Sequence, residues 1–225
     1  MTISAIISVW NGEAYVAESI RSVLAQSLPA VELIVVDDGS TDRTAEIVRS
    51  FPSVQLIQQK NAGTGPARNT GANGAVGDWL AFLDHDDLWV PEKLAIQSRA
   101  MVENPAAAGV LGLIQNFISP ELPPEVKSRI SCPQEALQGY SPSMLMVKRE
   151  DFWATGGWPT SEREGVEWFI RAREFGLQFV EIPLVLAHRR LHQTNRTRIG
   201  TAKNLDYVRL AREMIARRRL REGLN

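Results

Sequence analysis

The sequence predicts an α/β fold with a mostly parallel central sheet flanked by helices and an irregular second half. Two observations carry this. Apolar runs of strand length alternate with segments of helical period through the first half, and polar or glycine-rich residues stand where each run ends. Alternating β and α implies right-handed crossovers, so the turns that leave the strands fall on one sheet edge, where open α/β folds bind ligands.

Residues 2–9 and 32–36 are β-branched apolar runs, 54–58 is a third strand and 79–83 a fourth. Between them, 13–26 repeats apolar side chains at Val16, Ile20, Val23 and Leu24. A second helix over 42–50 is opened by Ser40 or Thr41 as a cap, and a third over 66–73 begins with proline in its first turn. The second half reads as a Pro- and Ser-rich loop or short helices over 119–142, a strand over 143–147 and a helix over 149–155. A turn at Gly156-Gly157, a helix over 166–175 and a strand over 179–182 then lead into a basic tail.

With 225 residues, 44% hydrophobic and 23% charged, the chain can bury a substantial core as one domain with at most a small appendage. Its single cysteine, Cys132, offers neither an internal disulfide nor a thiolate cluster, which fits a reducing compartment, and a cytoplasmic location is expected. The apolar stretch 3–9 is too short and too soon broken by Asn11-Gly12 for a signal peptide, and 106–114 is too short to span a bilayer. The net charge is −1, yet 189–221 holds 11 Lys or Arg against 2 Asp or Glu. Within that tail, Leu210, Met214 and Ile215 share a helical face among arginines. Such a helix either packs on its own domain or makes peripheral contact with a membrane surface or another anionic partner. No aromatic residues interleave the arginines, so nucleic acid is not an expected partner.

Asp84-His85-Asp86-Asp87 is the most telling motif, because it leaves a fully apolar run at the ligand-binding edge. Three adjacent carboxylates repel one another unless a positive partner joins them, and a divalent cation carrying a diphosphate suits hard oxygen ligands. The alternative is a solvated turn that caps the helix after Pro91. The first strand is followed by Trp10-Asn11-Gly12-Glu13-Ala14-Tyr15, with neither the Gly-x-Gly-x-x-Gly of a dinucleotide fold nor a Walker element. Trp10 either stacks on a nucleobase or closes the core. Asp37-Asp38-Gly39-Ser40 follows the second strand and Asn61-Ala62-Gly63-Thr64-Gly65-Pro66-Ala67-Arg68-Asn69 the third. An Asp can accept from a base imide or ribose hydroxyl, Gly63 and Gly65 permit close backbone approach, and Arg68 can pair with phosphate. Each alone is also an ordinary turn, loop or exposed helix residue; their convergence on one edge argues for one pocket.

Taken in order, these motifs resemble an inverting glycosyltransferase of glycosyltransferase family 2, which has the GT-A fold, a Rossmann-like sandwich. The resemblance runs from Ile3 to Asn195 and includes Ile7-Ser8-Val9-Trp10-Asn11, Ser19-Ile20-Arg21-Ser22-Val23-Leu24-Ala25-Gln26-Ser27, Val35-Val36-Asp37-Asp38-Gly39-Ser40, Ala67-Arg68-Asn69-Thr70-Gly71 and Phe82-Leu83-Asp84-His85-Asp86-Asp87. Met144 to Phe152, Gly156-Gly157-Trp158 and Arg189-Arg190-Leu191-His192 agree with it. The resemblance implies one GT-A domain over 1–200, with a nucleotide-sugar-binding half over 1–104, an acceptor-side half over 105–200 and a basic C-terminal helix over 201–225. It makes Asp84-His85-Asp86 the Asp-x-Asp motif, with Mn²⁺ or Mg²⁺ held at Asp86. Val9, Trp10, Asp38, Gly65, Arg68, Asp84 and His85 would lie around the donor. His192 is either a further metal ligand or a surface histidine.

The implied activity is transfer of a sugar from a nucleotide diphosphate sugar, a UDP-sugar first among the candidates, to an acceptor hydroxyl. That acceptor is unread; a glycan, lipid-linked carrier, small molecule or peptide all remain open. The base is expected at the start of the helix after the Gly-Gly turn, where the chain reads Glu164-Gly165-Val166-Glu167. On one alignment with the family Gly165 occupies the expected base position, leaving Glu167, and close behind it Glu164, as candidates. Both could instead be acidic residues favoured by a helix N-terminus. A sugar nucleotidyltransferase would need a Gly-rich basic turn after the first strand, which is lacking. A non-catalytic nucleotide-sugar-binding or scaffold protein is the remaining rival, because the expected base is displaced.

Overall fold

The computed structural model describes residues 1–195 other than Gln134, Gly139 and Glu162. The basic helix expected over 201–225 lies outside them. The described residues form two compact units, Met1–Phe117 with Pro133–Arg190, and Ile118–Cys132 with 191–195.

The first unit begins as the sequence predicts. Strands β1 (Ile3–Val9), β2 (Glu32–Asp37), β3 (Val54–Gln58) and β4 (Trp79–Asp84) alternate with helices α1 (Val16–Leu24), α2 (Thr44–Arg49) and α3 (Thr64–Gly74). β1 lies between β2 and β4 in parallel register, with Ile6 opposite both Ile34 and Phe82. Both faces of β1 are buried, which is why it is a continuous apolar run and not an alternating one. Helix α1 turns Val16, Ile20 and Val23 inward, whereas Leu24 of the same periodic set is exposed.

Beyond β4 the sheet becomes antiparallel. The remaining strands are β5 (Leu88–Trp89), β6 (Gly109–Ile118), β7 (Leu137–Gln138), β8 (Met146–Lys148) and β9 (Phe179–Leu191), and the order is β3-β2-β1-β4-β8-β6-β9-β5 with β7 on β6. Leu80 of β4 stands opposite Val147 of β8, and β5 pairs with β9 through Leu88 and His188. The second half is therefore more regular than its sequence indicates. β6 occupies an apolar run whose periodicity is mute between strand and helix, and β9 extends well past the expected 179–182 because His188, Arg189 and Arg190 are strand residues held by specific partners. Helices α4 (Lys93–Glu103), α6 (Arg149–Ala154) and α7 (Glu164–Glu174) complete this unit. The second unit contains α5 (Pro124–Lys127), where a loop or short helices are expected. Among the described residues no helix is long and apolar enough to cross a membrane.

Candidate functional site

The register of β1 assembles the site. Val9 stands opposite Asp37 and Ser8 opposite Asp84, so the residues that end β2 and β4 flank the end of β1 on either side. Trp10 follows immediately and is 55% exposed, so its ring lies outside the core and is open to stacking. The chain turns there through Asn11, whose φ of 49° is left-handed. Two hydrogen bonds hold that turn: Asn11 N–H donates to Ser40 Oγ at 2.8 Å, and Thr41 N–H donates to Asn11 Oδ1 at 2.8 Å. The turn after β2 is thereby tied to the turn after β1.

Asp38 is buried and organises the turn after β3. Its Oδ1 accepts from Gln59 Nε2 at 2.7 Å and Ala62 N–H at 2.9 Å, and its Oδ2 accepts from Gly63 N–H at 2.8 Å. An ionised carboxylate has about four acceptor positions, so capacity remains for one ligand donor. Neither Ser40 nor Thr41 caps α2: the helix starts at Thr44 with Arg43 at its N-cap and no side-chain cap bond, and Asp42 Oδ1 accepts the Thr44 N–H at 3.0 Å.

The acidic turn is built by its neighbours. Ser19 Oγ of α1 lies 2.7 Å from both the His85 and the Asp87 carbonyl oxygens. Gly12 packs on His85 so closely that a Cβ there would fall 2.6 Å from the imidazole Cδ2. Asp87 is buried, accepting from Ser143 Oγ at 2.9 Å and from Arg190 N–H at 3.2 Å. Burial, followed by the charges of Asp86 and Asp84, pushes the Asp87 carboxyl well above the usual carboxylate range. Arg190, to which the sequence assigns no role, is bound into this turn. Its guanidinium lies between the rings of Tyr15 and Phe117, 4.7 and 4.8 Å from their centroids, while Nε donates to the Asp86 carbonyl at 3.1 Å and Nη2 pairs with Glu18. A buried arginine on an edge-proximal strand has no sequence signal beyond its place in the Arg189-Arg190-Leu191-His192 motif.

Arg68 joins the two halves. It is 2% exposed, donates through Nη1 to Glu164 Oε1 at 2.9 Å, and pairs through Nη2 with Asp84 Oδ1. Trp158 lies beneath it, its ring centroid 5.5 Å from the guanidinium carbon. Asn69, the next residue of α3, clamps Trp158 in both directions, accepting from its N–H and donating to its carbonyl at 2.8 Å each. Gly65 meets the same segment: a Cβ would fall 2.3 Å from the Pro159 carbonyl oxygen. The close approach read from Gly65 is thus made by the protein's own backbone. Of the two glutamates at the start of α7, Glu164 is buried against Arg68, and Glu167 is half-buried one turn later on the same face. A Cβ at Gly165 would meet Pro142 Cδ at 3.3 Å, a tight but not closed position.

A divalent cation fits this donor set in one way. Asp84 and Asp86 offer hard oxygens in a turn that gathers three carboxylates within four residues, so a cation is electrostatically favoured. Among the described residues no group of three or more His, Cys, Asp or Glu side chains is placed to hold a metal by itself. Such a turn suits an ion held by one or two carboxylates and completed by phosphate and water. His192 belongs to the second unit, where its N–H donates to Asn195 Oδ1 at 2.6 Å and its Nδ1 lies 3.0 Å from Thr194 Oγ1.

Comparison with known proteins bears on the family and the fold. The family model described as Glycosyl transferase family 2 matches residues 4–158. An uncharacterized glycosyltransferase of Rickettsia conorii is 41% identical over 105 residues, 45% of this chain and 17% of that protein. One of Nostoc is 38% identical over 122 residues, 52% of this chain and 37% of that protein. The chain thus matches well under half the length of these relatives. S. aureus TarS 1–349, solved with UDP-GlcNAc, superposes with a TM-score of 0.71 at 20% identity, covering 95% of this chain and 65% of that one. It shares the fold.

Proposed function

Because the chain belongs to glycosyl transferase family 2, we propose that it transfers a sugar, with inversion, from a nucleotide diphosphate sugar to an acceptor hydroxyl. The observation that carries this reading is the bridge from Asp84 through Arg68 to Glu164, which brings the acidic turn and the start of α7 to one place. Donor and acceptor chemistry need that convergence.

In this reading Trp10 stacks on the base and Asp38 accepts from it. A UDP donor is supported by the TarS structures solved with UDP and UDP-GlcNAc. Asp86, with Asp84 beside it, would hold Mg²⁺ or Mn²⁺, which when bound supplies Lewis-acid and electrostatic stabilisation of the leaving diphosphate. Arg68 adds fixed positive charge behind Asp84. Glu167 takes the proton of the acceptor hydroxyl; the acceptor oxygen bonds to the anomeric carbon as the bond from that carbon to phosphate oxygen breaks, and the nucleoside diphosphate leaves. Glu164 is the weaker candidate for the base, since its carboxylate is buried and already paired with Arg68. A cytoplasmic place of action belongs to the same proposal and rests on the lone thiol of Cys132.

The deciding experiment is thermal stability against UDP, GDP and dTDP with and without Mn²⁺ or Mg²⁺, for the wild type and Asp86→Asn. A metal-dependent rise for one nucleotide, lost in the variant, is expected by mass action. No rise with any nucleotide would refute the donor assignment. Binding without transfer or slow donor hydrolysis would instead favour a non-catalytic nucleotide-sugar-binding protein, as Gly165 at the expected base position would allow.

A further inference from the structure

A cleft of about 550 Å³ opens at the start of β4, the end of that strand opposite Asp84 and roughly 17 Å from it along the strand. Its volume lies in the range of small-molecule sites. Trp79 and Trp153 line it, together with Asn73, Asp78, Arg149 and Glu150. Trp153 stands on α6 beside the fully buried Phe152, their ring centroids 5.1 Å apart, and remains 38% exposed. A part-exposed indole at the wall of a polar cleft offers a face for stacking.

The rim is held in place before any ligand arrives. Asp78 Oδ2 accepts from Thr2 Oγ1 at 2.7 Å, and Asp78 N–H donates back to the same hydroxyl at 3.0 Å. Arg149 donates through Nη1 to the Ala75 carbonyl at 2.8 Å, which fixes the plane of its guanidinium fork. Lys148, also in the lining, donates to the Pro105 carbonyl at 3.0 Å and lies 5.9 Å from the Trp79 ring centroid. Two carboxylates and two cations leave the lining without net charge, which disfavours phosphate-rich ligands and anionic surfaces. Flat aromatic area with alternating donors and acceptors matches a sugar ring, whose C–H face stacks on indole while its hydroxyls both donate to carboxylates and accept from amide and guanidinium.

We propose that this cleft is a binding site for a neutral saccharide, separate from the site at the acidic turn. It stands independently of the donor assignment. The test is a titration of the ¹⁵N-labelled full chain, following the indole N–H signals of its six tryptophans, with maltose, cellobiose and N,N′-diacetylchitobiose as probes. Trp153→Phe assigns the Trp153 signal. At least one disaccharide is expected to shift the Trp153 and Trp79 signals saturably and leave Trp10 unmoved. Trp153→Ala and Asp78→Asn should each weaken that affinity by about tenfold, the order of one stacked ring or one hydrogen bond in a preformed site. The absence of a saturable shift with all three probes, or unchanged affinity in Trp153→Ala, would overturn the assignment. So would a shift of Trp153 by UDP alone, which would make the cleft a nucleotide site. A UDP shift at Trp10 reads the donor site separately.

Discussion

Arg68 Nη1 and Glu164 Oε1 lie 2.9 Å apart, both side chains almost wholly buried, although 96 residues separate them in the chain. This pair docks α7 onto α3 and positions Arg68 behind Asp84. Replacing Glu164 by leucine leaves the guanidinium with one carboxylate in place of two. A loss on the order of 3 kcal/mol in denaturant unfolding is expected, toward the lower end for a broken buried pair because Asp84 remains. Glu164→Gln, which keeps an acceptor, should lose markedly less.

Glu167 separates from Glu164 by its kinetics. With the base role proposed, Glu167→Gln should lower kcat by roughly 10²–10⁴-fold with little change in donor KM or melting temperature. If the larger kcat loss, at intact stability, came from Glu164→Gln, the two roles would be exchanged.

Arg190 holds the acidic turn through its Nε bond to the Asp86 carbonyl and its backbone bond to Asp87. Arg190→Met keeps the backbone bond and much of the contact with Tyr15 and Phe117 but loses the guanidinium. Nucleotide-dependent stabilisation in the presence of Mn²⁺ should weaken by about tenfold in apparent affinity, the order of one charge-assisted hydrogen bond. Unchanged affinity would show that Asp86 needs no such support.

Gly65 has no room for a side chain. In Gly65→Ala the new methyl would sit 2.3 Å from the Pro159 carbonyl oxygen, and backbone on both sides must move. A loss of about 1–3 kcal/mol is expected, with weakened donor binding because α3 carries Arg68. Native stability in this variant would mean that the 158–164 segment is not seated on α3.

Lys93 carries a pH signature. It is fully buried, its ammonium 4.1 Å from the Trp89 ring centroid and 2.7 Å from Gln97 Oε1, and burial holds its pKa well below the lysine range. Between that depressed value and the ordinary one, the unfolded chain binds the proton and the folded chain does not. Stability should therefore rise with pH through that window, by at most about 1.4 kcal/mol per pH unit. Lys93→Met should flatten this rise when denaturation midpoints are compared between neutral and alkaline pH.

The first half was legible because local chemistry and final environment agree there. Runs buried on both faces read as parallel strands, and Trp10, Asp38, Arg68 and Asp84 fall on one edge by topology alone. The antiparallel half was not. β9 carries charged residues whose partners come from distant segments, Arg190 above all, so its strand character has no local period to announce it.

From its residues alone, then, the chain establishes an α/β architecture and places the polar turns, the acidic one included, on one edge of the sheet, since each follows from periodicity and residue type. Only packing decides what the groups there do to one another. That Arg68 is committed to Glu164 and Asp84, that Asp38 holds the loop after β3, that Gly65 yields to Pro159 and that Arg190 grips the acidic turn all depend on contacts between segments remote in sequence. Pairwise distances of this kind are set by how helices and strands settle against one another, and no single stretch of sequence encodes them.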